Sequence, residues 1–314
     1  VTGEQVDFES LGGAKVHSAR SGVAHFEAPD DCGALDLVKE LLSYLPQTHS
    51  ENPPAVEPAD DPNRCEKSLN TIIPENSMQG YDMKEVIEAV FDRESFLEVQ
   101  PLYAPNAVIG FVRLDGRPMG VVANQPDHLA GVLDIDAGDK ISRFVRICDA
   151  FNLPIVTFVD TPGFLPGVAQ EHGGIIRHGA KVIYAYCEAT VPKVSVITRK
   201  AVGGAYISMS SKGMGADLAF AWPTAEITVM GPEGAVNILY RTELKGAEDP
   251  QAKRQELEDA YIQRFHTPYL PAELGYIDEV FEPATTRPRL IAALKFLRSK
   301  AQDNPLRKHG IMPV

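Results

Sequence analysis

The 314-residue sequence predicts an α/β fold in which a mostly parallel sheet is flanked by helices. Two observations support this prediction. Short apolar runs of strand length alternate with segments whose apolar residues recur at helical spacing. Glycine-rich turns follow two of the strand-like runs and lead into helical segments. A hydrophobic content of 44% is enough for a substantial core.

The first eighty residues predict a helix and a linker. Residues 34–42 place Leu35, Val38, Leu41 and Leu42 on one helical face, so we expect this helix to pack on a neighbour. Five prolines then lie between positions 46 and 62 among acidic and polar residues, which is typical of a semi-rigid linker. Because the chain begins without methionine inside an ordered-looking segment, we expect a processed or truncated piece of a longer protein.

The rest of the chain alternates between helix and strand patterns. Apolar spacing predicts helices over 83–90, 137–151, 170–188, 204–211, 250–265 and 285–298, and another that starts at 231–234. Strand-like runs cover 107–114, 119–123, 154–159, 192–198, 217–221 and 226–229. Ligands bind beyond the carboxyl ends of strands in parallel sheets. The glycine turns that follow 154–159 and 192–198 therefore mark the candidate site.

These two turns have the sequences DTPGFLPG over 160–167 and GGAY over 203–206. Small residues let a ligand oxygen approach main-chain N–H groups closely, and a helix N-terminus adds partial positive charge. Two such sets of amides facing one space would form an oxyanion hole. A side chain at Gly204 should block that approach and strain the turn. Glycine turns also occur routinely between strands and helices, so each turn alone is compatible with a purely structural role.

Composition excludes several classes of protein. The chain has 30 basic and 43 acidic residues, a formal net charge of −13, and no basic run, so nucleic acid is not an expected partner. Cys32, Cys65, Cys148 and Cys187 are too far apart for a zinc ribbon or a disulfide framework. We expect reduced thiols, mostly packed inside, in a cytoplasmic or organellar-matrix protein. The apolar runs are shorter than a bilayer span, which favours a soluble chain.

Several stretches resemble the carboxyltransferase (β) subunits of biotin-dependent acyl-CoA carboxylases, the propionyl-CoA/acetyl-CoA carboxylase β-chain family. The resemblance to the end of that family's N-terminal domain and the following linker is carried by VTGE at 1–4, LGGA at 11–14, SGVAH at 21–25 and LLSYLP at 41–46. The resemblance to its C-terminal domain is carried by FVDTPGF at 158–164, TRKAVGGAY at 198–206, AWPTA at 221–225, GYIDEV at 275–280 and RKHG at 307–310.

The resemblance implies a crotonase/ClpP-like β-α superhelix divided into three parts. Residues 1–50 would be the C-terminal remnant of the N-terminal carboxyltransferase domain, 51–80 a proline-rich linker, and 81–314 the C-terminal crotonase-like domain. The first domain's own Ser-Gly-Gly-Ala loop has no counterpart here. In the family, the N-terminal domain of one subunit faces the C-terminal domain of another within a hexamer. The resemblance therefore implies a homo-oligomer, and we expect this chain alone to be inactive.

The implied activity is carboxyl transfer between carboxybiotin and a short-chain acyl-CoA such as propionyl-CoA or acetyl-CoA. The biotin would be carried on a biotin carboxyl carrier or biotin carboxylase subunit. The catalytic set implied by the family is Gly204, Ala205, Gly163 and Phe164. The biotin side would be lined by Gly203, Tyr206, Pro162 and Leu165, and the acyl pocket by Ile207. The resemblance implies no metal and no side-chain general base, because the biotin anion itself can remove the α-proton.

For the other polar residues near the turns, a structural role is an alternative to a functional one. Arg199 and Lys200 suit either anion attraction or a structural role, and Asp160 is expected to brace its turn. His172 and His178, taken to lie on one helix, fit no metal pattern. His25 could lie close to CoA.

Two other functions stay open. A crotonase- or ClpP-like hydrolase would use Ser208 or Ser210 as nucleophile, with a histidine and an acid converging on it. A non-catalytic domain would only dock a biotinylated carrier.

Overall fold

A computed structural model describes residues 3–58 and 60–314, and within these ranges one sheet of eight strands forms the centre of the fold. Its order is β1-β2-β3-β4-β5-β6-β8, and β7 pairs with β5. The pairs β1–β2 and β2–β3 are antiparallel, whereas every later pair is parallel, which confirms the predicted mostly parallel sheet. The strands are β1 Leu97–Val99, β2 Ala107–Leu114, β3 Arg117–Asn124, β4 Ile155–Thr161, β5 Lys193–Val202, β6 Leu218–Ala221, β7 Glu226–Thr228 and β8 Glu279–Val280.

Helices cover both faces of this sheet. The α5 and α7 helices contribute to the core on one face, and α4 and α13 to the core on the other. The helices are α1 Phe8–Gly12, α2 Ala14–Ala19, α3 Asp31–Tyr44, α4 Met83–Val90, α5 Ile135–Ala150, α6 Val168–Gly173, α7 Ile175–Glu188, α8 Gly203–Ser208, α9 Pro232–Leu239, α10 Arg241–Gly246, α11 Pro250–Phe265, α12 Tyr269–Glu273 and α13 Thr286–Phe296. Within the described ranges, no helix combines the length and the apolar character that crossing a membrane requires.

Three predicted elements are wrong in detail. The helix expected over 170–188 is two helices, because Gly174 adopts a left-handed φ of +88° that ends α6 before α7 begins. The helix expected over 204–211 ends at Ser208, since Ser210 also has a positive φ of 56°. The strand expected over 192–198 continues to Val202, because its last residues pair with β7.

The predicted apolar face of α3 is only partly buried. Leu41 packs against the core, whereas Leu35, Val38 and Leu42 are 60%, 50% and 60% exposed. All four cysteines are free thiols, as predicted. The prediction that most of them are buried is wrong. Only Cys148 is buried, and Cys32, Cys65 and Cys187 are exposed.

Most described residues of the proline-rich segment 51–80 are exposed, but several points of the segment are anchored to the fold. Leu69 is 1% exposed within a short 3₁₀ helix, Lys67–Thr71. Arg64 donates to the carbonyl oxygens of Ala89 and Phe91 at 3.0 and 2.7 Å. The division of the chain into a remnant, a linker and a C-terminal domain stays a prediction. Of the early family-like motifs, Val1 and Thr2 lie outside the described residues.

Lys140 of α5 has a buried amino group that holds the loop before β2. Its side chain is 2% exposed. Nζ donates to the carbonyl oxygens of Gln100, Tyr103, Ala104 and Ala107 at 2.9, 2.8, 3.3 and 2.7 Å. Burial lowers the pKa of Lys140 to about 7.

Replacing Lys140 with Met should destabilise the protein by about 3 kcal/mol at pH 7, because buried carbonyl oxygens lose their donor. The lowered pKa adds a pH dependence. Between pH 7 and about 10 the unfolded chain binds more protons at this lysine than the folded chain, so its contribution to stability rises with pH. Urea unfolding at pH 7 and 9 should show the gap between wild type and Lys140→Met widening by about 2 kcal/mol. A stability difference that stays the same at pH 7 and pH 9 would contradict the lowered pKa of Lys140.

Candidate active site

The two glycine turns lie side by side at one edge of the sheet, as the sequence predicts. The first turn follows β4 and the second follows β5. These strands are parallel neighbours, with Val156 opposite Val194 and Phe158 opposite Val196. Their carboxyl ends therefore meet at the same edge, where α/β sheets bind ligands.

The first turn presents an aromatic ring towards the second. A Cβ built on Gly204 would lie 3.8 Å from Phe164 Cε2, and one built on Gly179 of α7 would lie 2.9 Å from the same ring. The ring of Phe164 therefore fills the space between the second turn and α7. A Cβ on Gly163 would meet no heavy atom within 4 Å, so the space beside this glycine is open.

Part of the first turn is engaged in internal pairing. The N–H of Leu165 donates to the Leu133 carbonyl at 2.8 Å, and the N–H of Leu133 donates to the Gly163 carbonyl at 3.1 Å. Leu165 therefore has no free N–H to offer a ligand, and Pro162 has no N–H at all; both residues are half-buried. The Gly163 N–H has a long contact of 3.4 Å with Thr161 Oγ1.

The second turn holds an unpaired main-chain donor. No acceptor in residues 3–58 or 60–314 receives the N–H of Gly204 or of Ala205. Both belong to the first turn of α8, where N–H groups have no partner within the helix. Gly204 is exposed, whereas Ala205 is fully buried. Of the two predicted donors, Gly204 is therefore the one that faces open space.

Gly203 is the residue of the second turn at which a side chain would be strained. Gly203 has φ +61°, and a Cβ there would lie 3.0 Å from the carbonyl oxygen of Val229. Gly204 lies outside the left-handed region, and Phe164 Cε2 is the single described neighbour that its Cβ would meet within 4 Å. The expectation that a side chain at Gly204 would strain the turn is therefore wrong. The expectation that a side chain at Gly204 would block a ligand stays a prediction.

Tyr206 and Ile207 extend the surface beside the second turn. Tyr206 is half-buried, and burial raises its pKa to about 12. The phenol therefore stays neutral at physiological pH. Ile207 is 44% exposed, so it offers an apolar contact next to the exposed glycine.

Asp160 and Arg199 form a buried ion pair beneath the turns. Asp160 Oδ2 lies 2.9 Å from Arg199 Nε, and their side chains are 0% and 5% exposed. Burial raises the pKa of Asp160, and the positive charge of Arg199 opposes that rise. Lys200 is committed to structure as well, because its Nζ donates to the Ser77 carbonyl at 2.7 Å. The carboxylate of Asp160 accepts from Arg199 and from the N–H of Lys200, so it ties β4 to β5. Its expected role as a brace of its own turn stays a prediction.

The histidines take no part in the turns. His172 and His178 lie on separate helices, α6 and α7, so the view of them as one helix was wrong. His178 Nδ1 lies 2.8 Å from Asp139 Oδ1. Burial lowers the pKa of His25, with Arg143 contributing. Across the described part of the chain, no group of three or more His, Cys, Asp or Glu residues could hold a metal ion.

The serine nucleophile of the hydrolase alternative has no triad. Ser208 is fully buried, and its Oγ donates to the Ala205 carbonyl at 2.8 Å. Ser210 Oγ has no hydrogen-bond partner among the described residues. Neither hydroxyl contacts a histidine, whereas a triad requires a hydrogen bond from nucleophile to base.

Three clefts of the described chain lie away from the two turns. Adjoining clefts of about 450 and 500 Å³ lie near the amino ends of β3 to β5, at the opposite edge of the sheet. A third, of about 380 Å³, is lined by His25 and neighbouring residues. None of the three is lined by residues 160–167 or 203–207. Gly204 is exposed and lines none of these three clefts.

Comparison with protein families gives a match to the carboxyl transferase domain over residues 1–312. A propionyl-CoA carboxylase carboxyltransferase subunit from Haloferax mediterranei is 56% identical over all 314 residues, which span 61% of that protein. A methylmalonyl-CoA carboxyltransferase 12S subunit from Propionibacterium freudenreichii subsp. shermanii is 50% identical, and the chain spans 60% of it. The chain thus covers about three-fifths of the length of these relatives.

Solved structures share the fold. The crystal structure of a transcarboxylase 12S hexamer with methylmalonyl-coenzyme A and methylmalonic acid bound matches with a TM-score of 0.98 and 49% identity. The match covers 100% of this chain and 60% of that one. A single-chain, multi-domain long-chain acyl-CoA carboxylase matches with a TM-score of 0.76 and 31% identity, over 92% of this chain and 28% of the other.

Proposed function

Because the chain belongs to the carboxyl transferase domain family, we propose that it carries the biotin-facing half of a site that moves a carboxyl group between carboxybiotin and a short-chain acyl-CoA. The single observation that carries this proposal is the unpaired, exposed N–H of Gly204 beside the Phe164 ring. The names of the relatives support propionyl-CoA or methylmalonyl-CoA as the acyl substrate.

The residues of the two turns suit a urea-like carbonyl. When bound, carboxybiotin supplies the carboxyl group and, after losing it, a base for the α-proton of the thioester. Negative charge then develops on the ureido oxygen, and a preplaced amide stabilises such charge without reorganisation. The Gly204 N–H would donate to that oxygen. The open space beside Gly163 and Gly204 admits a ring that any side chain would exclude.

The neighbouring side chains would orient the two substrates. Phe164, Pro162, Leu165 and Tyr206 would pack around the biotin ring, and the exposed Ile207 would contact the acyl chain. Ala205 is fully buried, so it would support the second turn from inside the fold. None of these roles uses a protein nucleophile, in keeping with the absence of a triad in the described residues.

The exposure of Gly204 supports a site whose remaining wall is supplied by another part of the protein. We expect the remaining wall to come from the part of the protein that this chain does not span, on a second subunit of a homo-oligomer. A relative's crystal structure is a hexamer. The carboxybiotin would arrive on a biotin carrier protein or domain, and the sister domain would bind most of the acyl-CoA.

Exchange of labelled carboxyl groups between carboxybiotin and a panel of acyl-CoAs tests this function. The full-length protein that contains this chain should exchange label with propionyl-CoA or acetyl-CoA, and the chain alone should exchange far less. Addition of the missing part in trans should restore exchange. If the full-length protein exchanges no label with any acyl-CoA but binds a biotinylated carrier, the docking alternative holds. Absence of exchange together with an acyl-enzyme trapped at Ser208 or Ser210 by a serine-reactive probe would instead favour the hydrolase alternative.

A further inference from the structure

The strand that leads into the second turn contains a bulge next to Asp160. β4 and β5 pair residue by residue from Ile155 opposite Lys193 to Val159 opposite Ile197, and pairing resumes with Thr161 opposite Ala201. One residue of β4, Asp160, therefore faces three residues of β5, 198–200. Bulges of this kind re-aim the chain and are frequent next to active sites.

The carboxylate of Asp160 holds this bulge with both of its oxygens. Oδ2 accepts from Arg199 Nε at 2.9 Å, and Oδ1 accepts from the N–H of Lys200 at 3.1 Å. The side chain is fully buried, so water does not compete for either oxygen. Asp160 itself is anchored, because its N–H donates to Asn124 Oδ1 at 3.2 Å.

Arg199 is fixed from its other side. Its Nη1 donates to the Gln79 carbonyl at 2.9 Å, and its guanidinium lies 5.0 Å from the centre of the Tyr81 ring. The Tyr81 hydroxyl lies 2.9 Å from Thr198 Oγ1, the residue at the start of the bulge. The bulge is therefore enclosed between Asp160 and the segment 79–81, and has little freedom to relax.

We infer that the Asp160–Arg199 pair positions the two turns relative to each other, by closing the β5 bulge at the distance that places Gly204 beside Phe164. Asp160 is three residues before Gly163, and Arg199 is four residues before Gly203. A buried ion pair contributes little net stability, because the cost of desolvation offsets its attraction. Its value here is geometric. This role rests on the proposed function, since it concerns the donor proposed for the biotin carbonyl.

The test uses the full-length protein with Asp160→Asn and with the neutral pair Asp160→Asn/Arg199→Gln. The matched control is Asp92→Asn, which removes the charge from a pair with Arg287, 2.7 Å apart, near the β2–β3 hairpin; the Asp92 side chain is 10% exposed and that of Arg287 is 1% exposed. Carboxyl exchange is measured as kcat and as KM for each substrate. Thermal unfolding is measured for every variant. Amide hydrogen exchange is followed at Ile207 and Ser208 of α8 and at Met209, which caps its C-terminus.

Asp160→Asn should lower kcat by about 10²-fold, the usual effect of a misplaced catalytic group, with KM changed less than about threefold. The double variant Asp160→Asn/Arg199→Gln should be more stable than Asp160→Asn, but its kcat should stay low. Asp92→Asn should lose stability and keep kcat. A wild-type kcat in either Asp160 variant, or an equal fall of kcat in Asp92→Asn, would overturn the inference.

The hydrogen-exchange measurement separates this inference from the proposed function. The α8 amides should exchange faster in Asp160→Asn than in wild type or Asp92→Asn, whether or not the protein transfers carboxyl groups. Unchanged α8 exchange would overturn the positioning role. Absence of carboxyl exchange in wild type, together with faster α8 exchange in Asp160→Asn, would overturn the proposed function and leave the positioning of the turns supported.

Discussion

Carboxyl transfer by the full-length protein should fall by about 10²–10³-fold when Gly204 is replaced with Val, the loss that follows removal of one oxyanion donor. The fold should be retained, because the new Cβ would meet Phe164 Cε2 at an ordinary 3.8 Å. The branched side chain would occupy the space in front of the Gly204 N–H, so the ligand oxygen could not approach. Steady-state exchange and thermal unfolding measure the two effects separately.

Gly213 provides a matched control for this substitution. It is exposed, and a Cβ there would meet only Ser211 Oγ within 4 Å, at 3.9 Å, among the described residues. It lies just before β6, at the opposite edge of the sheet from the turns. Gly213→Val should keep wild-type exchange. If Gly204→Val keeps wild-type turnover as well, the Gly204 amide is not the donor.

Replacing Gly203 with Val should reduce both stability and transfer, in contrast to its neighbour. A β-branched residue at φ +61° is strained, and its Cβ would press on the Val229 carbonyl oxygen at 3.0 Å. We expect a loss of about 2 kcal/mol in the free energy of unfolding. Transfer should fall at least as far as for Gly204→Val, because movement of this turn displaces every donor after it.

Gly203→Asn separates the two causes of this effect. Asn adds the same Cβ but tolerates the left-handed region better than Val. It should therefore lose less stability than Gly203→Val in urea unfolding. Equal losses for Asn and Val would mean that contact with Val229 dominates, and a fully stable Gly203→Val would refute the strain assigned to this residue.

The juxtaposition of the two turns could be predicted because it depends on local signals. Glycine and proline mark the ends of strands through their own backbone preferences, and parallel strands place those ends at one edge. The turns at 160–167 and 203–206 could therefore be brought together from sequence alone. A structural role for Asp160 was also expected from its place between a strand and a turn, whereas its burial and its contacts with β5 were not.

Other features depend on contacts that no local pattern contains. The β5 bulge exists because Asp160 meets Arg199 and Lys200, which are about forty residues away. The burial of Lys140 depends on four carbonyl oxygens of a distant loop. The break at Gly174 had a local signal, the pair Gly173-Gly174, which the helical spacing of the surrounding apolar residues outweighed.

The ranking of the two amide donors also required the structure. Gly204 and Ala205 are adjacent in sequence and both lack an acceptor among the described residues, yet only Gly204 is exposed. Burial of a single residue depends on how α8 sits on its neighbours. Resemblance to a family cannot decide it for one chain.

The most direct test of the central claim replaces Gly204 with glycolic acid, which exchanges the N–H for an ester oxygen and adds no side chain. The N–H removed has no acceptor in the described chain, so the fold should be unaffected. Carboxyl transfer by the full-length protein should fall by about 10²–10³-fold, whereas glycolic acid at Gly213 should leave the rate unchanged. Wild-type transfer with the ester at position 204 would contradict the claim that this main-chain donor stabilises the charge.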